Sequence, residues 1–170
     1  QNPYATSYIP TSGSGVTRNQ EAAFGAGNSS LINSTEGVLY AEIARNEGDT
    51  IARVLSLNDG SSSNVVSIYY FDANRVGFDI LSTSPNVVSS FAISNTYDFN
   101  KIALKYKSGD IGLWINGIEV YTNTSTITLS GLSSLDFKYA NGTFPFYGKT
   151  KALAVFKEAL TDDELECLTS

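Results

Sequence analysis

Lys101-Ile-Ala-Leu-Lys-Tyr-Lys107, Ser108-Gly-Asp110 and Ile111-Gly-Leu-Trp-Ile-Asn-Gly-Ile-Glu-Val120 are the stretch that decides the fold. Apolar residues recur at every second position on both sides of the Ser-Gly-Asp turn, the pattern of paired strands with one face buried. Folded as a hairpin, Ile102, Leu104 and Tyr106 share a face with Ile111, Leu113 and Ile115, and that face belongs to the core. Ala103, Lys105, Gly112, Trp114 and Asn116 then point the other way. Trp114 is the sole tryptophan of the chain.

The same alternation recurs at 37–45, with Leu39, Ala41 and Ile43 opposite Val38, Tyr40, Glu42 and Ala44. Runs at 51–57, 65–71, 75–81, 87–93, 126–129, 135–138 and 148–156 read as further strands, separated by turn sequences such as Asn58-Asp59-Gly60 and Asp72-Ala73-Asn74. Ten or so short strands with no long helix between them specify an all-β fold, a two-sheet antiparallel β-sandwich of the jelly-roll kind. Thr161-Asp-Asp-Glu164 is a capping box, so a helix of about two turns closes the chain. Residues 1–20, with Pro10 among them, read as an arm along a sheet edge. No repeat or linker interrupts the sequence, and 1–170 reads as one domain. It starts at Gln1 without a leader pattern, as a piece of a longer polypeptide or a processed product does.

At 170 residues and 42 % hydrophobic content the chain can bury a sizeable core. A net charge of −6, with eleven Lys and Arg scattered along the sequence, argues against nucleic acid and anionic membrane surfaces as partners. No apolar run is long enough to insert into a bilayer. Histidine is absent, which removes Ser-His-Asp and Cys-His nucleophiles, histidine acid–base work and histidine-ligated zinc. Cys167 has no partner for an intrachain disulfide and reads as a small buried apolar residue of the last helical turn.

The 101–120 hairpin resembles the central hairpin of the concanavalin A-like, laminin-G-type lectin and glucanase sandwich. The ending Phe146-Tyr-Gly-Lys-Thr-Lys-Ala-Leu-Ala-Val-Phe-Lys-Glu-Ala-Leu-Thr-Asp-Asp-Glu-Leu165 is similar to its closing strand and helix. Thr6-Ser-Tyr-Ile-Pro-Thr-Ser-Gly13 and Ile32-Asn-Ser-Thr-Glu-Gly-Val-Leu-Tyr-Ala-Glu42 look like a subgroup found in phage tail and virion proteins and in large secreted bacterial proteins. The resemblance implies a glycan or host-surface polysaccharide as partner and other virion or fibre subunits as neighbours. It places the chain on a virion surface or outside the cell, and it puts glycans on the outer, concave sheet.

On that face Trp114 would stack on a pyranose, with Lys105 donating to hydroxyls, unless a loop or the N-terminal arm covers the indole. Tyr40 and Glu42 point outward on their strand, and Tyr69, Asp79 and Arg53 are assigned outward on theirs. A set of Trp114, Tyr69, Tyr40, Arg53, Asp79, Glu42 and Lys105 offers a hydroxyl-rich ligand flat apolar faces with fixed donors and acceptors. For a structural calcium ion, which related sandwiches carry on a rim loop, Asp59, Asp72 with Asn74, and Asp110 supply hard oxygens; turn chemistry is the competing reading. No other cofactor is expected. Glycosidic catalysis needs two carboxylates across a cleft, and the Glu-x-Asp-x-x-Glu strand of laminarinase-type relatives is missing. The chain therefore reads as a non-catalytic carbohydrate- or surface-binding module. Its alternatives are a structural module of a virion fibre and a polysaccharide-degrading enzyme.

Overall fold

The computed structural model describes residues 25–170 as two antiparallel sheets of five strands each, with one helix outside them. The arm expected at 1–20 lies outside the described residues. The elements are β1 (Glu36–Arg45), β2 (Arg53–Asn58), β3 (Val65–Asp72), β4 (Arg75–Leu81), β5 (Val87–Ala92), β6 (Asn100–Lys107), β7 (Ile111–Ile115), β8 (Ile118–Asn123), β9 (Ser134–Asp136), β10 (Gly148–Phe156) and α1 (Asp162–Thr169). One sheet runs β10-β1-β6-β7-β8 and the other β5-β4-β3-β2-β9.

The deciding hairpin pairs as its pattern dictates, with Ile102 opposite Ile115 and Leu104 opposite Leu113. The run from 111 to 120 is two strands, however. Asn116 and Gly117 take φ of 51° and 79°, the pair of positive values a type I′ turn requires, and β8 folds back onto β7. The segment expected as a strand at 126–129 joins neither sheet, although Ile127 and Leu129 still pack into the core. The 135–138 run shrinks to the three residues of β9.

The core between the sheets takes Leu39 and Ile43 from β1, Leu55 from β2, Ile68 from β3, Phe78 from β4 and Leu104 and Leu113 from the hairpin. Tyr70 and Tyr106 are fully buried there, and their hydroxyls donate to the carbonyls of Ile43 and Asn33 at 2.7 and 2.9 Å. That removes the cost of burying an unpaired hydroxyl.

A second apolar cluster forms on the outer face of the first sheet. Val38, Tyr40, Ala103 and Trp114 meet Leu165 of α1, flanked by Ala152, Ala154, Phe156, Leu160 and Leu168. The capping box forms as the sequence specifies, with the Thr161 side chain accepting from the Glu164 amide. Lys105 Nζ then reaches Asp162 and Asp110, both at 2.8 Å, and the Gly117 amide donates to Thr169 Oγ1 at 3.1 Å. The helix is thus pinned at both ends over the indole. Cys167 is exposed rather than buried, because Leu165 and Thr169 occupy the inward face of this short helix.

Burial pushes the Tyr70 and Tyr106 hydroxyls above the ordinary tyrosine value. For Lys105, burial lowers the value, but the hydrogen bonds and charges of Asp110 and Asp162 outweigh it and leave it raised. Each group holds its proton more tightly folded than unfolded. The stability tied to that proton is intact below the unfolded values near 10 and drains away as pH rises through the folded ones. The urea midpoint should therefore stay level from pH 7 to about 9 and fall steeply above about 10. A level midpoint through pH 11 would contradict this account.

Candidate functional site

The seven residues expected to form one patch are split between two faces and an end of the sandwich. Trp114 does face away from the inter-sheet core, but α1 covers it and leaves 2 % exposed. Tyr40 and Lys105 are buried around the indole, the ammonium 5.1 Å from its ring centroid. Glu42 is buried at the same face and receives Lys151 at 2.7 Å. Arg53 does not point outward. It pairs with the core residue Tyr70 in register and turns to the end of the sandwich, where its Nε donates to Asp49 at 2.6 Å and its Nη1 to the Pro145 carbonyl at 3.0 Å. Tyr147 lies against its guanidinium, 4.6 Å from centroid to Cζ. What remains of the expected set is Tyr69 and Asp79, neighbours on the outer face of the second sheet.

Around those two is a hollow of about 240 Å³. Its sheet side is formed by Ala52, Val54, Tyr69, Phe71 and Asp79, and its outer wall by Tyr139, Asn141 and Phe144 from the loop before β10. Tyr69 lies across Gly77, its cross-strand partner, and a Cβ at that position would overlap the phenol ring. Glycine there is what lets the ring lie flat on the sheet. Phe71, two residues on, shows the same face and is about half exposed, as is Phe144.

The Tyr69 hydroxyl donates to Asp79 Oδ1 at 3.1 Å. Burial raises the Asp79 carboxyl above the usual carboxylate range, and the Tyr69 hydrogen bond recovers only part of that cost. Burial and the Asp79 charge push Tyr69 and Tyr139 up in turn. A carboxylate has room for about four hydrogen bonds, and Tyr69 is its one side-chain donor among the described residues. Asp79 is therefore poised to accept from something else.

The loop wall is held firmly. Asn141 Oδ1 accepts from the Thr143 amide at 3.0 Å and from its hydroxyl, the Tyr139 amide donates to the Thr143 carbonyl at 2.9 Å, and the Val54 amide donates to the Phe144 carbonyl at 3.2 Å. Phe144 is held at φ 51° by this anchoring. A bulky residue in left-handed backbone costs about 1–2 kcal/mol, and such strain collects at functional sites. Here it projects a phenyl ring to solvent beside Asp79.

Two larger hollows, about 380 and 320 Å³, lie along residues 26–34, 131–135 and 155–157, and no aromatic ring is among the described residues that line either. Asp136 is the other acid facing outward on the second sheet. The register carries Asp79 to Ser67, Ser67 to Ser56 and Ser56 to Asp136, three strand spacings or about 14 Å. That exceeds the roughly 5–9.5 Å between paired glycosidase carboxylates.

The acids considered for calcium are apart and engaged. Asp59 accepts from Ser61 and Asn64, Asp72 from the Asn74 amide and Arg75, and Asp110 from Lys105. Among the described residues no three His, Cys, Asp or Glu side chains group as a metal site would require.

Phe71, Tyr139, Asn141 and Phe144 escaped the reading of the sequence. Phe71 was accessible by extending the alternation two residues beyond Tyr69. Tyr139 and Phe144 sit in an irregular loop, where no periodicity reports direction.

No family profile matches the chain, and no curated protein matches it in sequence. Solved structures do match. The CBM40 of the Ruminococcus gnavus IT-sialidase, bound to α2,6 sialyllactose, superposes with a TM-score of 0.71 at 18 % identity over 89 % of this chain and 97 % of its own. Domain 4 of AbnA, an extracellular arabinanase of Geobacillus stearothermophilus, in complex with arabinotriose, gives 0.66 at 18 % identity over 82 % and 69 %. NanB sialidase of Streptococcus pneumoniae gives 0.63 at 16 % identity, with 80 % of this chain spanning 24 % of that enzyme. At these identities the likeness is one of fold: the chain is a two-sheet antiparallel β-sandwich.

Proposed function

We propose that the chain is a non-catalytic carbohydrate-binding module whose site is the hollow between the second sheet and the 139–144 loop. The observation that carries this reading is the clustering of Tyr69, Phe71, Tyr139 and Phe144 around a partly buried carboxylate whose one side-chain donor among the described residues is Tyr69. Ring faces take the C–H faces of a sugar, and Asp79 takes its hydroxyl protons. At about 240 Å³ the hollow is smaller than the roughly 300–1,000 Å³ clefts that enclose drug-sized molecules, and it suits one sugar ring. The likeness in fold to sandwiches solved with sialyllactose and arabinotriose supports a glycan over other ligands. That Asp79 is the one carboxylate among the described residues of the hollow supports binding over hydrolysis.

The setting we propose, from the resemblance in sequence, is a virion tail or a larger secreted protein. There, several copies would turn micromolar-to-millimolar single sites into firm adhesion. A glycan array with the wild type and Phe144→Asn tests the site. Asparagine tolerates left-handed backbone, so the variant keeps its fold and its Tm within about 2 °C. It should lose tenfold or more of its affinity for every glycan the wild type retains. An array with nothing retained, or one that Phe144→Asn leaves unchanged, defeats the proposal.

A further inference from the structure

Within that carbohydrate reading, on which this step rests, we propose that the hollow accepts uncharged sugar rings and rejects acidic ones, sialic and uronic acids alike, with Asp79 as the discriminating group. No Lys or Arg is among the described residues that line it. The two guanidiniums at its margins each already hold a carboxylate. Arg75 lies 4.3 Å from the Phe71 ring centroid and pairs with Asp72 at 2.6 Å. Arg53 is buried against Asp49, the Pro145 carbonyl and the Tyr147 ring.

An acidic sugar would therefore bring its carboxylate to another carboxylate, in a setting with less water than bulk to screen the pair. Like charges brought together in that way cost more than the same pair in free solution. The net charge of −6 opposes approach of acidic glycans at longer range. An uncharged ring meets neither obstacle. Its hydroxyls are donors, which is what a carboxylate served by a single tyrosine lacks, and the tyrosine and phenylalanine faces ask for C–H surface rather than charge. A site built for an acidic sugar supplies its carboxylate with donors, most often a basic fork, and Asp79 is an acceptor.

Matched pairs test this by calorimetry or affinity chromatography: lactose against 6′-sialyllactose, and methyl-esterified oligogalacturonates against the free oligogalacturonates, each with wild type, Tyr69→Ala and Asp79→Asn. The uncharged member of any pair that binds should lead its acidic partner at least tenfold. Asp79→Asn should weaken the uncharged member about tenfold and narrow the gap, because the amide repels no carboxylate. An acidic member that leads, and is lost in Tyr69→Ala, overturns the charge inference and leaves the glycan site standing. If no member of the panel binds, or if binding ignores Tyr69→Ala, the carbohydrate site itself falls and this inference with it.

Discussion

Trp114→Ala should cost about 3–5 kcal/mol of folding stability, lowering Tm by roughly 10 °C or more, and should leave glycan affinity at the second sheet unchanged. The indole is the largest side chain of the outer cluster, closed over by Leu165 and flanked by Tyr40 and Val38. Removing it leaves a cavity that pinned neighbours cannot fill, since Lys105 is fixed to Asp110 and Asp162, and Thr169 to the Gly117 amide. Its distance from function is topological: Trp114 and Tyr69 lie on the outward faces of opposite sheets, with the whole core between them. Trp114→Phe, which keeps most of the apolar volume, should fall between the two and serves where the alanine variant is too unstable to assay. Thermal unfolding with a binding isotherm on the same sample checks both halves. A stable Trp114→Ala that has lost its glycan would return the site to the first sheet.

The contrast between these two faces explains how far the sequence could be read. Period-two alternation fixes which side of a strand each residue takes, so the core positions of 101–107 and 111–115 and the outward direction of Trp114 were all legible. Alternation says nothing about what lies above an outward face. Two short segments decide that here. Residues 162–169 supply a helix whose Leu165 seals one sheet, while residues 139–144 supply a loop that stands off the other and leaves a hollow. The helix itself was legible through its capping box, yet its docking depended on Lys105 meeting Asp162, 57 positions away. Arg53 failed for a different reason: it alternates with the core residues Leu55 and Leu57, so the register puts it on the inward face and not the outward one. At the first residue of a strand, the side chain can leave the sheet face and satisfy a nearby loop, and Asp49 with the Pro145 carbonyl outcompetes solvent for it.

Tyr69→Ala and Asp79→Asn should separate binding from stability at the candidate site. Tyr69 is half-buried over Gly77, and its loss should cost about 1–2 kcal/mol of folding stability, less than a core ring. It should cost about 2 kcal/mol of glycan binding, or some thirtyfold, as central aromatic anchors commonly do. Asp79→Asn should act with opposite signs. Because burial raises this carboxyl, ionising it works against the fold, so its contribution is favourable below the unfolded value near 3.9 and is lost as pH rises through the folded value. At pH 7 the asparagine, which can still accept from the Tyr69 hydroxyl, should raise Tm by a degree or more, and the gain should vanish near pH 3. Binding should fall in the same variant. A residue whose removal stabilises the fold and weakens the ligand is held in place by function rather than by folding. Melting curves at the two pH values decide the matter, and an Asp79→Asn that melts lower at pH 7 would make the carboxylate a structural part of the sheet.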